Sequence, residues 1–198
     1  KSWQPVLRYY GLKDRGFFKE PFLRAYEDNA RLSEEYYGRW TTSTYTISGD
    51  DRSAIAYSQP LILPDGTGYG VVGVELLTSY VQEKMPYAEL QNEKSGAYFL
   101  VSTTADEDAE EFVVSKLVTS SQDSDALEEP ESMMRCERRA DGCWLNLHKR
   151  DYYAVAMPIS LYSRNAPFSN EKWLLVGTVR SSILFRFART VQQVITAA

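Results

Sequence analysis

Gly68-Tyr69-Gly70-Val71-Val72-Gly73 spells G-x-G-x-x-G, the spacing that sets a pyrophosphate on the first amides of a helix. That chemistry needs a strand before the first glycine and a helix at the motif. Here the turn Pro64-Asp65-Gly66 comes first and a valine-rich strand pattern follows, so the glycines read as hairpin glycines. A kinase glycine loop would want valine where Glu75 stands, and 198 residues are too few for a kinase. His148 and Asp151 suggest an acid–base pair, but no serine sits in a G-x-S-x-G elbow and neither cysteine has a clear base partner. Asp106-Glu107-Asp108 lacks the spaced ligands and glycine of a calcium loop and reads as a solvated acidic face. Two cysteines and one histidine do not make a tetrahedral zinc site. The residues predict no enzyme, no metal and no cofactor.

Binding chemistry is better represented. Tyr36, Tyr37, Trp40, Tyr45 and Tyr57 crowd one segment of a chain that holds 14 tyrosines. Rings with polar tips offer contact area and fixed hydrogen bonds to a small molecule, although any single tyrosine is more often a core residue. Glu75 stands inside Val71-Val72-Gly73-Val74-Glu75-Leu76-Leu77, where an acid must point outward or be buried with a partner. Strand alternation sets it on the side of Gly73 and Leu77. Cys136 and Cys143 flank an Asp141-Gly142 turn signal. They either face each other across a short hairpin as a disulfide, which requires an oxidising compartment, or remain reduced thiols.

The elements that must position these residues show a repeat. Ala54 to Leu63, a Pro-Asp-Gly turn and Tyr69 to Leu77 form one strand–turn–strand unit. Tyr152 to Leu161, a longer loop through Arg164-Asn165-Ala166-Pro167 and Lys172 to Val179 form the second. Each first strand carries a proline near its end (Pro60, Pro158), and each second strand runs through Val-Gly. An amphipathic helix follows each: Leu77, Tyr80, Val81 and Met85 in one, and Ile183, Leu184, Phe187, Val191 and Val194 in the other. A helix is also expected over Pro21 to Asn29, and Val113, Val114, Leu117 and Val118 would anchor one short helix inside the acidic interval 105–131. The repeat predicts two tandem α+β domains with a boundary near Gln91 to Gly96. A net charge of −5 argues against a nucleic-acid surface. No apolar run is long enough to span a bilayer.

Trp40-Thr41 through Tyr45, Ile55-Ala56-Tyr57-Ser58-Gln59-Pro60-Leu61, Asp65-Gly66 and Tyr69-Gly70-Val71-Val72-Gly73-Val74-Glu75 together resemble a Cache domain, the PAS-like extracytoplasmic sensor module of bacterial receptors. The second repeat is similar to the membrane-proximal module of the double-Cache arrangement. The resemblance implies an antiparallel sheet with flanking helices in each module and a ligand site in the distal one. In amino-acid-sensing members an Arg-x-Trp-Tyr group, a later tyrosine and a final acid hold the ligand. Tyr45 and Glu75 fall at counterparts of the last two, whereas the first group reads Glu20-Pro21-Phe22-Leu23 here and lacks the arginine and the tryptophan.

The expectation is therefore a distal module over 1–90, a proximal module over 91–182 and a juxtamembrane signalling helix over 183–198. The chain would sense a small molecule for a transmembrane histidine kinase, diguanylate cyclase or chemoreceptor. Trp40, Tyr45, Tyr57, Ser58 and Glu75 are the expected contacts. Membrane anchoring would lie outside this chain, and a homodimer is compatible with it. The alternative is a ligand-free interaction or dimerisation module.

Overall fold

A computed structural model of the chain describes residues 16–42, 44–46, 52–85, 96–103, 111–121, 135–137, 142–147, 150–186, 193 and 195. The described residues form an α+β fold with two antiparallel sheets and a few helices, grouped in two compact units. One unit takes in 1–41, 54–76 and 162–169; the other takes in 42–53, 77–161 and 170–198. Among the described residues no helix is long and apolar enough to cross a membrane.

The first sheet is built on β3 (Ser53–Ile62), which pairs with β4 (Gly68–Leu77) and carries the two-residue strands β1 (Arg39–Trp40) and β2 (Tyr45–Thr46). The β3–β4 reversal comes from sequence chemistry. Gly66 adopts φ 86°, open to glycine at little cost, and its N–H donates to the Leu63 carbonyl at 2.8 Å. Asp65 accepts the Thr67 N–H at 2.9 Å, which lowers its carboxyl pKa. Along β3, Ala54, Ala56, Ser58 and Pro60 are all buried. The opposite face carries Ile55, fully enclosed, then half-buried Tyr57, Gln59 and Leu61.

The first helix, α1 (Gly16–Glu27), begins earlier than the sequence suggests, with Pro21 inside it rather than at its start. Its end is a Schellman closure: Ala30 N–H donates to the Ala25 carbonyl at 2.8 Å and Asn29 N–H to that of Tyr26 at 3.1 Å. Asn29 (φ 52°) and Ala30 (φ 49°) both take the left-handed conformation. A 3₁₀ turn over Glu34–Tyr37 follows, and the Tyr37 ring is completely enclosed. Its hydroxyl donates to Asp28 at 2.5 Å and accepts the Leu32 N–H at 3.1 Å. Burial and the Asp28 carboxylate raise its pKa. Glu34 accepts the Ile62 N–H at 2.9 Å, tying this turn to the end of β3.

The second sheet runs β7-β6-β5-β10-β9-β8. Its strands are β5 (Gly96–Thr103), β6 (Glu111–Ser120), β7 (Arg135–Glu137), β8 (Cys143–Leu147), β9 (Arg150–Ile159) and β10 (Lys172–Arg180), with α2 (Thr78–Lys84) before them and α3 (181–186) after. The registers Val176↔Phe99 and Leu174↔Val101 put these side chains on one face with Ala97, Ala154 and Cys143, and together they form a buried core. Each fully buried Leu, Val or Phe in it contributes about 1.5–3 kcal/mol. Thr178, 1% exposed in that apolar layer, is satisfied by donating to the Ala97 carbonyl at 3.1 Å and accepting its N–H at 3.3 Å.

Two sequence expectations are corrected here. Residues 113–118 are part of strand β6, not a helix. Register shifts at Leu100/Val101 and Ser102/Thr103 mark irregularities against β5 that interrupt the two-residue period and leave helix-like spacing. The cysteine segment is not a simple hairpin either. β7 pairs with β6 and β8 with β9, so the two strands sit at opposite ends of the sheet order, yet β7 lies against β8. Cys143 is buried and disulfide-bonded, and Cys136 on β7 is the other cysteine of the sequence.

Candidate ligand site

The chemistry-bearing residues of the first unit gather around β1. Opposed residues of an antiparallel pair share a sheet face, so Arg39↔Ser58 and Trp40↔Tyr57 lie on opposite faces. Thr41 locks the register, its N–H donating to the Ala56 carbonyl at 2.8 Å and its hydroxyl accepting the Ala56 N–H at 3.1 Å.

On one face the Trp40 and Tyr57 rings stand 5.3 Å apart at 49°, a tilted aromatic pair. Both remain partly open to solvent. The Tyr57 hydroxyl passes close above Gly38, in space that a Cβ there would occupy. Burial, aided by the charge of Glu35, raises the Tyr57 pKa, so the phenol is a neutral donor at physiological pH.

At the edge of β1, Arg39 is ion-paired with Glu20 of α1 and lies over the Phe168 ring at 5.0 Å. Phe168 also contacts Tyr162, ring centre to ring centre 6.3 Å, and the Tyr162 hydroxyl accepts the Trp40 N–H at 2.8 Å. The segment 162–169 thus belongs to the first unit although it joins β9 to β10. Sequence reasoning missed Arg39, Tyr162 and Phe168. The signal was the length of the β9–β10 connection, which carries more residues than a hairpin needs.

The structure brings Trp40 and Tyr57 together. Ser58 is 1% exposed on the other face, where a Cβ on Gly73 would come within 3.2 Å of its own Cβ. Glu75 is exposed on β4. Tyr45 is half-buried in β2 and is grouped with the second unit. His148 and Asp106-Glu107-Asp108 lie outside the described residues. Among the described residues no cluster of His, Cys, Asp and Glu could hold a metal.

No protein-family model matches the chain, and no curated protein matches it. Solved structures do. The ligand-binding domain of the Pseudomonas aeruginosa amino acid chemoreceptor PctB, in complex with L-Arg, aligns at a TM-score of 0.54 and 15% identity over 94% of this chain and 67% of that one. The ligand-binding domain of the P. aeruginosa amino acid chemoreceptor PctC, in complex with GABA, aligns at 0.51 and 15% over 91% and 67%. The chain shares the fold of these double-Cache sensor domains and spans about two thirds of their length.

Proposed function

We propose that the chain is the extracytoplasmic small-molecule sensor of a transmembrane receptor. The observation that carries this reading is the fold it shares, over more than nine tenths of its length, with domains solved as ligand-binding domains of chemoreceptors, one holding L-Arg and the other GABA. A disulfide at Cys143 fits an oxidising compartment. In this reading residues 1–90 are the membrane-distal module, 91–182 the membrane-proximal module and 183–198 the signalling helix, and the anchoring segments and the output domain belong to the rest of the receptor.

Trp40 and Tyr57 are the proposed contacts, a partly open aromatic pair with one neutral phenol donor; the proposal does not draw on Ser58, enclosed on the opposite face, or on Glu75, which strand alternation sets with Gly73 on the side of Ser58. Tyr45 is grouped with the other unit, so the proposal does not draw on it. Arg39, next to Trp40 on β1 but on the opposite face, is already paired with Glu20. A ligand carboxylate would have to compete with Glu20, so the ligand's apolar part should supply most of the affinity.

Thermal-shift screening with amino acids, amines, short carboxylates and nucleobases tests the proposal. A ligand at 100 times its Kd stabilises by about 2.7 kcal/mol. That raises the Tm of a chain this size by about 5–10 °C. The same compound should give no shift with Trp40→Ala. A panel in which nothing moves the midpoint, or a hit indifferent to both Trp40→Ala and Tyr57→Ala, overturns the assignment.

A further inference from the structure

Among the described residues a single buried side-chain polar atom has no hydrogen-bond partner, Nε of Arg180. Native folds leave few such atoms, and one on a charged group costs more than one on a neutral group. Arg180 ends β10. Strand alternation puts it on the face of Leu174, Val176 and Thr178, where the core of the second unit lies. Thr178, one step further in, is already satisfied by the Ala97 peptide group. The register Arg180↔Tyr152 sets the arginine opposite Tyr152 of β9, whose ring packs against that core. Opposed residues of a strand pair share a face, with Cβ atoms about 4.5–5.5 Å apart. Arg39 of the first unit, by contrast, has the Glu20 carboxylate beside it.

We propose that Arg180 and Tyr152 form a further ligand site, within the second unit, for a small organic monocarboxylate. The Nε–H of a guanidinium and the N–H of its neighbouring Nη lie parallel on one edge, spaced for the two oxygens of a carboxylate. The edge that carries Nε is the buried one. The Tyr152 phenol supplies a third donor from the facing strand. Leu174, Val176 and Ala154 make the rest of this face apolar. Such a face suits the alkyl or aryl tail of a carboxylic acid and disfavours phosphate, whose second charge would be desolvated without a partner. The site shares no residue with the Trp40–Tyr57 pair and does not depend on the sensor reading.

Thermal unfolding of the chain in sodium propionate, sodium benzoate and sodium phosphate, each against sodium chloride at equal ionic strength, tests the proposal. A carboxylate at 100 times its Kd should raise the Tm by about 5–10 °C. Arg180→Met keeps the stem and removes the orphaned donor, so it should melt no lower than the parent in chloride and show no carboxylate response. Tyr152→Phe should weaken carboxylate binding about tenfold. An Arg180→Met chain that melts below the parent in chloride overturns the proposal, because the guanidinium would then have its partner within the fold. So does the absence of any carboxylate response, a response that survives Arg180→Met, or one indifferent to Tyr152→Phe. A response to phosphate alone, or a carboxylate response lost in Trp40→Ala, overturns it as well. Screening for the aromatic pair in the Arg180→Met chain removes this site from that assay, so the two readings fail separately.

Discussion

Gly38→Ala is the most informative single substitution in the first unit, because the structure fixes both its sign and the condition that reverses it. Gly38 has φ −64°, a conformation any residue adopts, so the backbone offers no objection to alanine. On entropy alone the change should stabilise by about 0.4–1 kcal/mol. The new Cβ, however, would overlap the Tyr57 hydroxyl oxygen and the ring carbon bearing it, well inside an ordinary contact of 3.4 Å or more. The ring must swing away, and the Trp40 pair opens with it. Loss of such a pair costs about 0.5–1.5 kcal/mol beyond the area it buries, and overpacking typically costs about 1–3 kcal/mol. We expect a net destabilisation of about 1–2 kcal/mol, a fall in Tm of about 2–8 °C. In a Tyr57→Ala background the obstruction is gone, and Gly38→Ala should become stabilising by about 0.5 kcal/mol. Urea denaturation of the four members of this double-mutant cycle reads the coupling directly. A Gly38→Ala penalty of the same size in both backgrounds would refute the placement of the phenol over Gly38, and with it the geometry of the aromatic pair.

Other outcomes follow from features of the two units. Ala30→Gly should stabilise by about 0.5–1 kcal/mol in the same urea assay, because Ala30 holds φ 49° at the Schellman closure and glycine adopts it freely. Tyr37→Phe should cost about 2–4 kcal/mol, since it strips a hydrogen bond from the Asp28 carboxylate and another from the Leu32 N–H. Because the folded-state pKa of Tyr37 is raised by burial and then by Asp28, its contribution is full below the ordinary tyrosine value of about 10 and is lost as pH rises through the folded value. Denaturation midpoints of the parent and Tyr37→Phe should therefore converge in strong alkali. Thr178→Val should cost about 1–3 kcal/mol by leaving the Ala97 peptide group without its buried hydroxyl partner, measurable as a lower urea midpoint at unchanged slope.

The hairpins were legible because their signals are local. Pro-Asp-Gly, Val-Gly and alternating apolar residues mark β3, β4, β9 and β10 to within a residue or two. Strand β6 was not, because its irregular pairing with β5 destroys the period that marks a strand. Trp40 and Tyr57 could be named from composition and resemblance, but their contact depends on a strand register that puts residues 17 apart side by side. Arg39, Tyr162 and Phe168 were out of reach for a stronger version of the same reason. Trp40 meets Tyr162 across a sequence separation of 122, and no periodicity carries information over that distance. Cys136 and Cys143 show the converse. The sequence brought them within range of each other, and it was the strand order that sequence reading could not supply.

The peptide that crosses from β9 to β10 leaves one unit, lends Tyr162 and Phe168 to the other, and returns. The two folds are consequently stitched rather than strung. No single cut of the chain yields an intact first half, for a fragment ending anywhere before residue 162 would lose the hydroxyl beneath Trp40 and the ring beneath Arg39.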